Sequence, residues 1–269
     1  MKQKPYIYIF FVIIVVSTLS FNACKKEVYN KVSIASDSSI TIFNATPGSL
    51  ENTLTASEKA STSKLTISGT IDARDFQTMH IKMRKLATID ISNVKIVAYS
   101  GKILYWNNEI TYISSPEDKI PNEAFENNSN IQSILLPLSL KAIGEGSFVD
   151  CKSLKTIIIP PTDTIIEAVA FNGCTNILSI TIPTSVKTIL GAAFGNCTSL
   201  TTITIPSSVT IMGYGVFVYC TNLVSINLSA SMMNIPSETF LGCNNITTIK
   251  IPSNVTAIGG SAFSCCTHL

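Results

Sequence analysis

Phe171-Asn172-Gly173-Cys174-Thr175-Asn176-Ile177-Leu178-Ser179-Ile180-Thr181-Ile182-Pro183-Thr184-Ser185-Val186-Lys187-Thr188-Ile189-Leu190-Gly191-Ala192-Ala193-Phe194 is the stretch that decides the fold, because its pattern recurs on both sides without an insertion. Phe125, Phe148, Phe171, Phe194, Phe217, Phe240 and Phe263 stand 23 residues apart. Cys151, Cys174, Cys197, Cys220, Cys243 and Cys266 each follow a phenylalanine by three places. Ile131, Leu154, Ile177, Leu200, Leu223, Ile246 and Leu269 follow by six. A fixed period of roughly 20–50 residues marks a solenoid, in which a coil buries its apolar face only against its neighbours.

Inside the period, Ile180 and Ile182 alternate with polar residues, the pattern of a half-buried strand. Pro183 ends that strand, since it has no N–H to donate, and Pro137, Pro160, Pro206 and Pro252 do the same in other coils. Ser229 takes the place in one coil. After the turn, Val186 and Ile189 return to the core and Ala193-Phe194 closes the coil. The expected fold is a β-rich solenoid of 23-residue coils with a parallel sheet on one face.

The pattern Cys-x-x-Leu-x-x-Ile-x-Ile-Pro-x-x-Val-x-x-Ile-x-x-x-Ala-Phe resembles the BspA-like leucine-rich repeat of bacterial surface proteins, over residues 120–269. The resemblance implies a leucine-rich repeat array that works as an adhesion module toward host or neighbouring-cell proteins, extracellular matrix components among them. Departures are local. Asp163 stands where Val186 and Val209 stand, Glu167 and Leu190 replace the usual glycine, and Met232-Met233 disturb one coil.

Residues 46–119 are expected to form a small α/β N-terminal cap with irregular first repeats. Leu65-Thr66-Ile67 and Leu86-Ala87-Thr88-Ile89-Asp90-Ile91 carry strand alternation. Asp72 followed by Ala73, Phe76, Met79 and Met83 has the spacing of an amphipathic helix with an aspartate cap. A shorter helix after Pro47-Gly48-Ser49 would bury Leu50 and Leu54. Leu86 and Ile131 lie 45 residues apart, so one coil between Val97 and Ile120 carries 22 additional residues. That insertion holds Tyr99, Tyr105, Trp106 and Tyr112, either a candidate aromatic contact or, as favoured here, a cover for the cap.

Residues 1–23 have the form of an export signal: Lys2 and Lys4, an apolar run over 6–21, then Leu19-Ser20-Phe21-Asn22-Ala23-Cys24. The last of these looks like the lipobox of a bacterial lipoprotein, which implies cleavage before Cys24 and lipid on that residue. The other reading is an uncleaved anchor with a buried Cys24. Residues 24–45 are then the lipidated cysteine and a polar, Ser-rich tether. The protein is expected to be exported and lipid-anchored in the bacterial envelope, at the outer membrane or cell surface. Leu269 falls at the first strand position of a coil, which predicts either a longer natural chain or an end covered by self-association.

The chain is 46% hydrophobic and 13% charged with a net charge of +2, and beyond residue 123 five lysines face six acidic residues. With no basic face, nucleic acid is a poor partner. The stacked cysteines point the same way rather than at each other, which favours buried free thiols over disulfides; Cys265 falls outside their column. Cys265, Cys266 and His268 suggest zinc but lack a fourth ligand. Gly213, Gly215, Gly259 and Gly260 fall at coil bends, and the acidic residues of the array sit on separate coils, without a close pair for acid–base work. Neither an enzyme nor a cofactor is expected. A more useful feature is the outward side of the strands. Its third position is Ser133, Thr156, Ser179, Thr202, Ser225 and Thr248, and its fifth is Leu135, Ile158, Thr181, Thr204, Asn227 and Lys250. Hydroxyl residues suit a solvated strand, but the changing fifth position beside a constant third favours a face that binds a protein or glycan. The competing roles are a structural or self-assembling envelope protein and a targeting part of a larger enzyme.

Overall fold

The computed structural model describes residues 30–34, 38–104 and 110–269. Cys24 with its leader, and Tyr105 and Trp106, lie outside the described residues. Among the described residues, no helix is long and apolar enough to cross a membrane.

The N-terminal region runs β1 (Asn30–Ile34), β2 (Ser39–Ala45), α1 (Leu50–Thr53), α2 (Ala56–Ser61), β3 (Lys64–Ile71), α3 (Ala73–Lys82) and β4 (Thr88–Ile96). β1 is antiparallel to β2, whereas β2, β3 and β4 pair in parallel. A polar tether over 24–45 therefore does not hold for its second half. Ile40, Ile42 and Ala45 of β2 are buried, and the period of two that buries them is hidden among serines and threonines. Both expected helices form, with Leu50 at the start of α1 and Leu54 just past its end buried, and Ala73, Phe76, Met79 and Met83 buried along α3. Asp72 accepts from the Arg74 N–H at 2.9 Å while Asp75 accepts from the Asp72 N–H at 3.0 Å, a reciprocal cap that starts α3. The insertion is a hairpin of β5 (Tyr99–Leu104) and β6 (Ile110–Ser115).

The array follows with short strands: β7 (Lys119–Ile120), β8 (Ser133–Leu135), β9 (Ala142–Ile143), β10 (Thr156–Ile157), β11 (Ile165–Ile166) and β12 (Thr188–Ile189). Then come β13 (Thr202–Thr204), β14 (Ile211–Met212), β15 (Ser225–Asn227), β16 (Asn234–Ile235) and β17 (Ala257–Ile258). They build two parallel ladders, one per side of the coil. The strand-face sheet is β1-β2-β3-β4-β8-β10, continued by β13-β15, and the second is β7-β9-β11-β12-β14, continued by β16-β17. The second ladder breaks at Met232-Met233, the departure the sequence marks. Ser229, in place of proline, is buried and donates its hydroxyl to the Val209 carbonyl at 2.9 Å.

Side-chain columns fill the interior. From Phe125 to Phe263 successive rings stack with centroids 5.3–5.8 Å apart. Phe76 of α3 closes the N-terminal end of this stack edge-on, 5.8 Å from Phe125. Each column cysteine donates its S–H to the carbonyl of the phenylalanine in the preceding coil. Cys151, Cys174, Cys197, Cys220, Cys243 and Cys266 reach Phe125, Phe148, Phe171, Phe194, Phe217 and Phe240 at 3.0–3.2 Å. All are free thiols, and burial pushes Cys151, Cys197 and Cys243 up to about 12.

Two residues per coil adopt left-handed backbone, two places before and two places after the phenylalanine. The first column is Glu123, Gly146, Val169, Ala192, Gly215, Glu238 and Ser261; the second is Asn127, Asp150, Gly173, Asn196, Tyr219, Gly242 and Cys265. The alternation turns backbone N–H groups along the solenoid axis. In the first coil Glu123, Phe125 and Asn127 donate to Glu145, Ser147 and Val149 of the next, at 2.8 Å each. These bonds satisfy a side of the coil that has no strand. Cys265 is thus the occupant of a turn position, not a misplaced member of the thiol column.

Candidate functional site

Strand pairing lines up the outward residues column by column. Thr156 lies beside Ser133, Thr202 beside Ser179 and Ser225, and Asn227 beside Thr204 and Lys250. All twelve residues singled out on this face are exposed except Ser133, which is half-buried. The alternating partners Ile134, Ile157, Ile180, Ile203 and Ile226 are buried. The pleat therefore carries two parallel outward columns over a packed core.

Both columns reach further than the array sequence indicates. Ser133 pairs with Thr88 and Leu135 with Asp90; Thr88 pairs with Lys64, and Lys64 with Ser39. Nine coils thus share one face, from β2 to Lys250. The signal was present in the alternation around Leu65 and Ile89, but the 45-residue step hid its register. Asp90 is held in place by accepting from the Ser92 N–H and hydroxyl at 3.0 and 2.7 Å.

The apolar end of the fifth column is solvent-facing: Leu135 is 46% exposed and Ile158 71%. Leu138, just beyond the strand, is 69% exposed. Strand-face pairing is interrupted after this coil, because the first sheet ends at β10 and pairing resumes between Ser179 and Thr202. The interruption coincides with the change from Leu135 and Ile158 to Thr181 and Thr204. Two substitutions sit on the same part of the solenoid. Asp163 is fully buried in a column otherwise filled by Leu140, Val186, Val209, Met232 and Val255; one oxygen accepts from the Ile165 N–H at 3.1 Å and Oδ2 has no hydrogen-bond partner. Burial pushes its carboxyl up to about 7. Glu167 takes both its oxygens to Lys119 Nζ at 2.7 Å and accepts from the Glu145 N–H at 2.9 Å. It clamps three coils where Gly144 and Gly213 instead let backbones touch: a Cβ at either would fall 2.3 Å from the preceding coil.

Of the described aromatics in the insertion, Tyr112 of β6 is 68% exposed and does not cover the cap. Tyr99 is half-buried, with the Arg74 guanidinium 4.9 Å from its ring centre. At the other end, Cys266 is committed to the Phe240 carbonyl, and His268 Nδ1 lies 2.5 Å from the Asn244 carbonyl. His80, buried under the first coil, is lowered to about 4, chiefly by burial and then by Arg84.

Six copies of the region described as BspA type leucine rich repeat match over residues 58–178 and 164–269. The match includes β3 and β4, which the resemblance over 120–269 had left to the cap. Among curated proteins none matches the chain. A Treponema pallidum leucine-rich repeat protein is similar at 21% identity and a TM-score of 0.57, covering 90% of this chain and 87% of that one. A leucine-rich repeat protein from Bacteroides ovatus is similar at 28% identity and a TM-score of 0.57. That likeness covers 68% of this chain and 44% of the other, so this chain spans under half of its length. The fold and the family are those of non-catalytic leucine-rich repeat proteins with a general binding or surface role. With six matched copies spread over most of its length, the chain belongs to the BspA-type leucine-rich repeat family.

Proposed function

We propose that this protein is a lipid-anchored module of the bacterial cell surface that binds protein or glycan ligands, of the host or extracellular-matrix type, through its strand face. The observation that carries the reading is the face itself. Nine coils present one outward face on which the third column stays mainly hydroxyl, while within the array the fifth runs from apolar Leu135 and Ile158 to Asn227 and Lys250. Exposed Leu135, Ile158 and Leu138 form an apolar patch on an otherwise polar face, the kind of surface that marks interaction sites. Repeat solenoids bind along such extended surfaces.

The test is a screen of the part from Lys25 onward against immobilised matrix proteins and glycans, repeated with Ile158→Asp and Lys250→Glu. Loss of a ligand with either variant, at unchanged melting temperature, supports the face; a ligand retained by both moves the site elsewhere. The anchor is tested separately. Cys24→Ser should release the protein from membranes, and a variant that still sediments with them would remove Cys24 from the proposal.

A further inference from the structure

Between α1, α3 and the inserted hairpin lies a cleft of about 540 Å³, within the usual size of a small-ligand site. It is remote in sequence from the array part of the strand face and is built by the insertion that the other coils lack. Ile81, Ile103 and Leu104 give it apolar walls. Gln77 of α3 donates to the Leu104 carbonyl at 2.5 Å and pins the hairpin to the helix.

The polar groups of the rim are arranged asymmetrically. Arg74 is fixed before any ligand arrives: its Nε and Nη2 donate to Asp72 at 2.6–3.2 Å and Nη2 also to the Pro47 carbonyl at 3.1 Å. The guanidinium lies against Gly48, where a Cβ would fall 2.5 Å from Cζ, and over Tyr99. Its Nη1 donates to no group among the described residues. Lys102 makes no ion pair among the described residues, and Lys59 and Lys82 share the single carboxylate of Glu51. The rim thus holds an excess of positive charge and an uncommitted guanidinium nitrogen.

We propose that this cleft is a second binding site, which takes a small apolar carboxylate, the carboxyl-terminal end of a short apolar peptide or a fatty acid. The carboxylate answers Arg74 and Lys102, since charge-assisted bonds to a preordered guanidinium are the strong ones. The apolar part lies against Ile81, Ile103 and Leu104.

Isothermal titration of the full chain with acetyl-Ala-Ile-Leu and octanoate, each beside its amide, tests the assignment. At least one acid should bind, at least tenfold more tightly than its amide, and the tighter of the two names the source. Lys102→Glu should weaken that acid at least tenfold, and Lys102→Ala less, with the melting temperature unchanged because Lys102 is exposed. An amide that binds as tightly as its acid would overturn the carboxylate contact. Failure of both acids to bind, or indifference to both Lys102 variants, would overturn the site.

Discussion

β2, β3 and β4 pair with one another over five to seven positions, while strands of the array pair over two or three. The N-terminal region is held by long backbone ladders and a capped helix. Each array coil spreads the same task over two short ladders, a phenylalanine stack, a thiol-to-carbonyl column and left-handed turns whose N–H groups run along the axis. A coil with so little strand depends on its side-chain columns more than a conventional sheet does.

Breaking the phenylalanine stack should therefore have the largest effect. Phe194→Ala removes a ring stacked on both sides and should cost about 3–5 kcal/mol by lost transfer energy and the cavity left behind. Denaturant titration will show it, together with reduced protection of amides in the neighbouring coils. A cost below about 1 kcal/mol would mean that the short ladders suffice alone.

Asp163 sharpens the comparison from the opposite direction, as a polar intruder in an apolar column. Its carboxyl titrates near 7 when folded and near the ordinary aspartate value when unfolded. The unfolded chain therefore releases that proton first as pH rises. Stability is unaffected below about pH 4, falls from there to about pH 7, and stays low above it. Asp163→Val should be more stable than the parent by about 2–4 kcal/mol at pH 8, with a gap that shrinks toward pH 4. A gap constant with pH would assign the cost to packing instead of charge.

The thiol column should contribute less per residue. Cys197→Ala loses one small buried group and one of the two donors to the Phe171 carbonyl, which keeps the Cys174 N–H at 3.1 Å, at about 1–2 kcal/mol. In the native protein Cys265 should react with a thiol reagent while Cys151, Cys174, Cys197, Cys220 and Cys243 stay protected until unfolding. Smallest of all, Thr204→Ala on the exposed face should change stability by no more than about 0.5 kcal/mol. A larger loss would put that face under structural rather than ligand-binding constraint.

The core was legible because packing demands one residue type per column: phenylalanine, cysteine and isoleucine return at fixed places whatever the surface does. The left-handed columns were not, since Glu123, Val169, Ala192 and Ser261 share a backbone angle but no side-chain character. Asn127, Asp150, Gly173 and Asn196 in the second column carried a partial signal, which Tyr219 and Cys265 obscured. β2 was missed because its buried Ile40 and Ile42 are embedded in a Ser- and Thr-rich stretch. The outward residues at 133–250 could be placed from alternation alone, whereas their continuation through Thr88 and Lys64 needed the register across the insertion. The cleft at Arg74 could not be read at all; it arises only where α1, α3 and the hairpin meet in space.

The clamp between Lys119 and Glu167 bears on how such a chain finds its alignment. Coils built to one template can slip by a whole repeat during folding, since phenylalanine would still meet phenylalanine and each thiol would still find a carbonyl. Such a slip separates Lys119 from Glu167 and leaves a half-buried carboxylate and ammonium without each other. Only the native count of coils brings them together with the Glu145 N–H between. The departure from the repeat thus works as an address: it makes one coil distinguishable from the next.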